Sequence, residues 1–359
     1  MPRPIQASFD LGAFAHNLEV VRKAAPGARA WAVVKANAYG HGLLRAAGAM
    51  RAADGFALLD LHEAARLREA GFAHPILLLQ GVFEARDLDT VDALHLTPVM
   101  HHSAQIDMLQ RATLRRPLDV YLKCNSGMNR LGFGADAVPG AHARLKGMPQ
   151  VKSVTLMTHF ADADGPLGVA DQMARFAPLG AQLEAPASMA NSAAILRHAE
   201  THGDWVRPGI ALYGASPFPD QSAAQLGLRP VMTLISQIIA LQTLKPGEGV
   251  GYGFRYRATA ETRIGIVACG YADGYPRHAP ADNAAGAPIM VDGMLTRTVG
   301  RVAMDMLYVD LTAVPQARLG SKVVLWGGGL PADDVAAAAG TVSYELFCAL
   351  ASRVPAIEI

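Results

Sequence analysis

Cysteine, charge and aromatic rings are all scarce in this chain. Of its 359 residues three are cysteines, 18% are charged and 6% are Phe, Trp or Tyr. Cys124, Cys269 and Cys348 are odd in number, far apart and without metal-ligand spacing. That argues against a disulfide framework or a cysteine-held metal, and they read as buried, reduced thiols. The formal net charge is +1, and no basic cluster is interleaved with aromatics. Nucleic acid and anionic membrane surfaces are therefore poor partners. No run is long and apolar enough to span a bilayer. Met1-Pro2-Arg3-Pro4 lacks the apolar stretch of a secretory signal, so the expected compartment is the cytoplasm.

What is abundant is aliphatic. Hydrophobic residues make up 51% of the chain, much of it alanine, so a sizeable core is available. The length suits two domains, or one large barrel with an addition. Short apolar runs at 31–35, 55–59, 76–80, 97–100, 120–124, 154–158, 187–190 and 205–206 have helical patterns between most of them. Such alternation predicts a parallel sheet, and eight units predict a closed (β/α)8 barrel of the TIM type. A leading helix over 11–23 has Asp10 as its N-cap. After Arg229-Pro230 the runs at 231–241, 263–269, 288–291, 294–299, 306–311 and 322–326 follow without long helices between them. Asp292-Gly293 predicts a two-residue hairpin turn. The expected division is a barrel over 1–229 and a smaller, mostly antiparallel β domain over 230–359. Residues 1–5 could add a strand to that second domain, and a short helix near 343–350 closes the chain.

The segment Ala32-Val33-Val34-Lys35-Ala36-Asn37-Ala38-Tyr39-Gly40-His41-Gly42 carries the most chemical information. A lysine at the end of a buried apolar strand, before a glycine-bearing turn, is placed to lose its proton and act as an amine nucleophile. Taken alone, it reads more readily as a lysine snorkelling from a strand end, and the rest of the chain reverses that. Other strand ends are similarly furnished. Lys123 ends the fifth strand and leads to Asn125-Ser126-Gly127-Met128-Asn129-Arg130; His159 ends the sixth. Asn191-Ser192 follows the seventh, and Arg207-Pro208-Gly209-Ile210 the eighth. Chemistry in such barrels sits at this rim. Backbone N–H groups near Ser192, Gly209 and Ile210, with the Ser192 and Tyr39 hydroxyls, could hold a phosphate. A lysine beside a phosphate site suggests a Schiff base to pyridoxal 5'-phosphate.

These motifs, with Gly251-Tyr252-Gly253, Gly270 to Arg277, Gly300 to Met306 and Tyr344-Glu345, resemble the bacterial alanine racemases in order and spacing over nearly the whole chain. The resemblance implies a barrel plus a β domain in a head-to-tail homodimer, interconverting L-alanine and D-alanine. Lys35 would hold pyridoxal phosphate, with Tyr39, Asn191, Ser192, Gly209, Ile210 and Tyr344 around it. Arg207 would face the pyridine nitrogen, with His159 behind it, and Arg130 would approach the cofactor hydroxyl and substrate carboxylate. From the partner subunit would come Tyr252, a second base opposite Lys35, and the backbone N–H of Met304 for the carboxylate. Tyr271, Arg301 and Asp305 would line the approach. Lys123 matches a position that is a carbamate in some members, or it is an ordinary lysine.

Each residue also has a plainer reading. Tyr252 could anchor a hairpin, His159 and Tyr344 could be core residues, and Arg301 could pair with Asp305. A racemase of broader or different specificity, such as one for serine, and a non-catalytic pyridoxal phosphate carrier are the rival functions. A decarboxylase is disfavoured by Arg207 and the Tyr252 segment. Paralogues that make D-alanine for peptidoglycan and those that degrade it share all these motifs.

Overall fold

A computed structural model describes residues 3–359. Strand β1 (Gln6–Phe9) comes first, and the helix Leu11–Ala24 follows it. Asp10 caps that helix by accepting from the Ala13 N–H at 3.0 Å. Eight parallel strands then close a barrel: β2 (Arg29–Val33), β3 (Gly55–Leu58), β4 (Ile76–Leu78), β5 (Leu96–Met100), β6 (Leu118–Lys123), β7 (Val151–Met157), β8 (Ala187–Ser188) and β9 (Trp205–Val206). Closure runs through Arg29↔Trp205 and Ala30↔Val206. These strands are buried nearly throughout, which explains their continuous rather than alternating apolar pattern.

The chain then forms β10 (Met232–Leu244), β11 (Gly249–Val250), β12 (Tyr256–Arg257), β13 (Thr262–Val267), β14 (Pro288–Val291), β15 (Met294–Arg297), β16 (Leu307–Asp310), β17 (Lys322–Trp326) and β18 (Ala356–Glu358). One sheet runs in the order β15-β14-β17-β10-β1-β18, and β13 joins β10 to β16. Its pairings are antiparallel except β1 with β18. The predicted turn is present: Val291 pairs with Met294, and Asp292 and Gly293 both have positive φ, at 46° and 82°.

Several expectations need correction. The N-terminal strand is Gln6–Phe9 rather than 1–5; Met1 and Pro2 lie outside the described residues, and Arg3 to Ile5 are not a strand. Placing it required knowing that β10 and β18, more than 220 residues away, offer their edges to it (Gln6↔Ile235, Ala7↔Ala356). A helix, Ala332–Ala338, interrupts the β domain where the alanine-rich sequence favours one. Cys124 and Cys269 are buried, but Cys348 is exposed, because it ends the helix Ser343–Cys348 on the side facing the barrel mouth. Among the described residues no helix is long and apolar enough to cross a membrane.

Candidate active site

A cavity of about 500 Å³ opens at the C-terminal rim of the barrel. The rim brings together Lys35, Tyr39, Lys123, Arg130, His159, Asn191, Ser192, Arg207, Gly209, Ile210 and Tyr344 around it.

Lys35 lies two residues past β2, after the fully buried Val34. The next four residues, Ala36 to Tyr39, all have left-handed φ, between 51° and 55°. For residues with a Cβ this costs roughly 1–2 kcal/mol each. The turn is held from outside. Glu63 accepts from the Asn37 N–H at 2.8 Å, and the Asn37 side chain accepts from the Leu43 N–H at 2.9 Å. His41 is fully buried, and burial drives its pKa down to about 3. It is therefore neutral, and its Nδ1–H donates to the Tyr39 carbonyl at 2.8 Å. Gly40 has φ of 75°, and a Cβ there would lie 2.1 Å from the Phe347 carbonyl oxygen. Only glycine lets the turn dock against the last helix. Such strain held by its surroundings fixes the direction of the lysine stem.

Tyr39 is buried, stacked on Tyr213 with ring centroids 4.6 Å apart, and has Tyr344 at 5.8 Å. Ser192 Oγ accepts from the N–H of Gly209 at 2.9 Å and of Ala211 at 3.3 Å. Asn191 caps the short helix beginning at Ser192, accepting from Ala194 N–H at 3.0 Å. A Cβ on Gly209 would sit 2.6 Å from the Tyr39 hydroxyl. Gly209→Ala is expected to overpack this corner by roughly 1–3 kcal/mol. A matching weakening of pyridoxal phosphate binding, followed by absorbance titration, would check it; unchanged affinity would mean that the corner does not hold the phosphate.

Arg207 is buried with no carboxylate partner. It donates to Ser188 Oγ at 2.7 Å, to the Thr158 carbonyl at 2.6 Å and to the Met189 carbonyl at 2.9 Å; His159 Nδ1 stands 3.3 Å away. Burial pulls the Arg207 pKa down to about 10. Burial first, then Arg207 and the neighbouring cations, hold His159 well below its usual range, so its ring is neutral. Burial and the nearby Arg130 also lower Lys35. Lys123 falls to about 8, through burial and then Arg207, Arg130 and Lys35. Four cationic side chains thus share a cavity whose lining holds no Asp or Glu among the described residues. Lys35 and Lys123 are depressed by neighbouring cations as well as by burial, and an anionic guest would relieve both.

This donor set fits pyridoxal phosphate. It offers an amine with a lowered pKa, a corner of hydroxyls and backbone N–H groups, and a buried guanidinium bonded only to neutral acceptors. His159 and Tyr344 are not core residues; both face the cavity, and Tyr344 is 38% exposed.

Other predicted residues lie apart from this cavity. Tyr252 is 69% exposed, in the short turn Tyr252–Phe254, and Met304 is 53% exposed. Tyr271, Arg301 and Asp305 are likewise absent from the cavity wall. Arg301 does not pair with Asp305; Asp305 is taken instead by Arg353 at 2.7 Å. Sequence reasoning missed Leu59, Leu79 and Gln80, which line the cavity just beyond β3 and β4. The strand-end rule that found Lys35 would have found these, had uncharged rim residues been counted. It also missed Cys348 and the support given by His41, whose contacts no local pattern reveals.

Comparison with known proteins agrees with this geometry. The family model described as alanine racemase, N-terminal domain, matches residues 9–217, and that of the C-terminal domain matches 231–358. A catabolic alanine racemase of Klebsiella aerogenes is 56% identical over 360 residues, covering 100% of both chains. An alanine racemase of Sodalis glossinidius is 56% identical over 99% of both. The crystal structure of the biosynthetic alanine racemase from Pseudomonas aeruginosa superimposes with a TM-score of 0.96 at 46% identity, covering 99% of each chain. With both domain models and full-length relatives in agreement, the chain belongs to the alanine racemase family.

Proposed function

We propose that this isomerase interconverts L-alanine and D-alanine with pyridoxal 5'-phosphate, in a homodimer whose two sites each draw on both subunits. The observation that carries this reading is the acid-free cavity. In it an amine of lowered pKa and a buried arginine with only neutral acceptors face the same space. The barrel over 1–229 would hold the cofactor and the domain over 230–359 would serve the neighbouring subunit's site, with β1 crossing to the latter's sheet.

When bound, the cofactor would make the alanine Cα–H acidic enough to be removed. The chain's own residues do the rest. Lys35 holds the cofactor and then moves a proton at Cα on one face through its Nζ. Tyr252 of the partner subunit does so on the other face through its hydroxyl. Inversion requires a base on each face, one taking and the other giving. Arg130 and the Met304 N–H bind the substrate carboxylate, and Ser192, Tyr39, Asn191, Gly209, Ile210 and Tyr344 enclose the phosphate. Arg207, supported by His159, is a donor that cannot readily give up its proton. Facing a bound cofactor's ring nitrogen, it would supply no proton there, so the cofactor would be a weaker electron sink and side reactions would be restrained. Tyr271, Arg301 and Asp305 flank the approach.

The deciding experiment is proton NMR of the purified protein with cofactor and L-alanine in heavy water, with chiral analysis of the product. Loss of the α-proton together with D-alanine is the expected result. Exchange without D-alanine would deny the second base, and no exchange would deny the reading.

Lys123 gives a pH-dependent prediction. Its amine titrates at about 8 in the folded chain, against ~10.4 when free. Between these values the unfolded chain binds a proton that the folded chain does not. Stability therefore rises with pH across this window, and the contribution is lost as pH falls through about 8. In protein freed of carbon dioxide, Lys123→Met should flatten that slope in denaturant titrations. We assign the same amine as a carbamate site: its neutral form adds carbon dioxide, an N–C bond forms and a proton leaves, giving an anion that orients Arg130. With ¹³C-bicarbonate, a carbamate resonance absent from Lys123→Met is expected; no such resonance would leave an ordinary lysine.

A further inference from the structure

Asp273 is a fully buried carboxylate in the turn Tyr271–Asp273, outside the cavity lining. Arg3, near the start of the chain, donates to it from both ends of its guanidinium, at 2.8 and 3.0 Å. Arg353, near the other end, donates from Nε at 2.7 Å, and the Gly270 N–H adds a fourth bond at 2.9 Å. The same two arginines reach further. Arg353 donates to the Asp305 carboxylate at 2.7 Å, and Arg3 to the Asp305 carbonyl at 2.8 Å. Burial alone would raise the Asp273 carboxyl, but these donors hold it below the usual carboxylate range.

The backbone is tied in parallel. The Tyr271 N–H donates to the Ala303 carbonyl at 3.1 Å and the Ala272 N–H to the Met304 carbonyl at 3.0 Å. The Ala351 N–H closes on the Asp273 carbonyl at 3.1 Å. A Cβ on Gly270 would lie 2.3 Å from the Met304 carbonyl oxygen, so the two segments are pressed together. Met304, half exposed, is thus fixed on both sides: its own and the preceding carbonyl by the 271–272 backbone, and the next residue by two guanidiniums. Bidentate and charge-assisted bonds are the kind that set orientation as well as energy.

We propose that Arg3, Asp273 and Arg353 form a clamp that positions Tyr271, Met304 and Asp305 for the partner subunit's active site. The two ends of one chain then govern substrate binding in its neighbour, and not in their own cavity. This rests on the reading that active sites are shared between subunits. The three clamp residues are positioning residues: none lines the cavity of its own chain.

Arg3 and Arg353 are 39% and 41% exposed, so their replacement leaves the core packing intact. In the holoenzyme, Arg353→Ala is expected to raise KM for L-alanine on the order of tenfold, with a smaller change in kcat, through slight displacement of the carboxylate-binding segment. Arg353→Lys should recover part of this. The absorbance spectrum and affinity of bound pyridoxal phosphate should stay as in the parent, because the cofactor sits in the other subunit's barrel. Asp273→Asn, if it folds, should exceed the Arg353→Ala effect on KM.

Mixed dimers, purified through two different tags, decide where the clamp acts. A Lys35→Ala chain paired with a Tyr252→Phe chain tests shared sites by themselves: about half the parental activity is expected, and no recovery overturns the shared-site reading. A Lys35→Ala chain paired with an Arg353→Ala chain tests the clamp. Its live site takes Lys35 from the Arg353→Ala chain and its clamp from the intact one, so KM should return to the parental value. A KM that stays raised while the first pair recovers overturns the clamp alone. So does a parental KM in the Arg353→Ala homodimer.

Discussion

Tyr252→Phe is expected to lower racemisation by about 10²–10⁴-fold, the usual worth of a positioned acid–base group. The substitution removes a hydroxyl and keeps the ring. Tyr252 is 69% exposed in its own chain, and among the described residues no side-chain hydrogen bond holds it there. Folding should therefore be unaffected, and a thermal melt matching the parent would check that. The loss should be one-sided. Lys35 remains to move the proton on its own face, so D-alanine should still exchange its α-proton in heavy water while almost no L-alanine forms. Proton NMR with chiral analysis reads both quantities in one sample. Near-parental racemisation by this variant would remove the two-base assignment.

Arg207→Glu should slow racemisation by about 10²–10³-fold, the range seen when one preorganised donor is removed from an active site. It should also bring out a long-wavelength absorbance during turnover. On the proposed reading, a carboxylate in place of Arg207 would favour a protonated ring nitrogen on a bound cofactor, and so a stronger electron sink. The structure adds a second consequence. Arg207 donates to the Thr158 and Met189 carbonyls at 2.6 and 2.9 Å, and a glutamate would set its own oxygens against theirs. Stranding buried acceptors costs roughly 1–3 kcal/mol each, so the melting temperature should fall as well. The two effects separate by measurement, since instability changes the amount of folded enzyme while the absorbance reports on the ring. A variant with parental rate and no new band would end this account of Arg207.

Much of this architecture is legible in the sequence, for a local reason. Barrel strands buried on both faces read as short apolar runs, and the helical spacing between them is equally local. The last two strands are the least legible, because Ala187–Ser188 and Trp205–Val206 are only two residues long. The antiparallel domain was harder to read at its margins. The pair β11 and β12 and the strand β18 carry little pattern of their own and exist because a partner edge is present. The rim residues Lys35, Lys123, His159 and Arg207 could be picked out because an ionisable side chain at the end of an apolar run is rare.

The sequence by itself determined the alternation that makes a barrel, the strand-rich texture of the chain after it, and which polar side chains gather at the rim. These follow from periodicity and residue type, which act over a few neighbours. Tertiary structure decided the rest. Nothing local asks Ala36 to Tyr39 to adopt four left-handed conformations in a row; Glu63, His41 and the Phe347 carbonyl impose them from elsewhere. The lowered pKa values of Lys35 and Lys123 exist only once folding buries both amines and brings other cations beside them. Arg3, Asp273, Asp305 and Arg353 meet across separations of up to 302 residues. A contact of that kind is set by how the whole chain packs, and no window of sequence contains both of its ends.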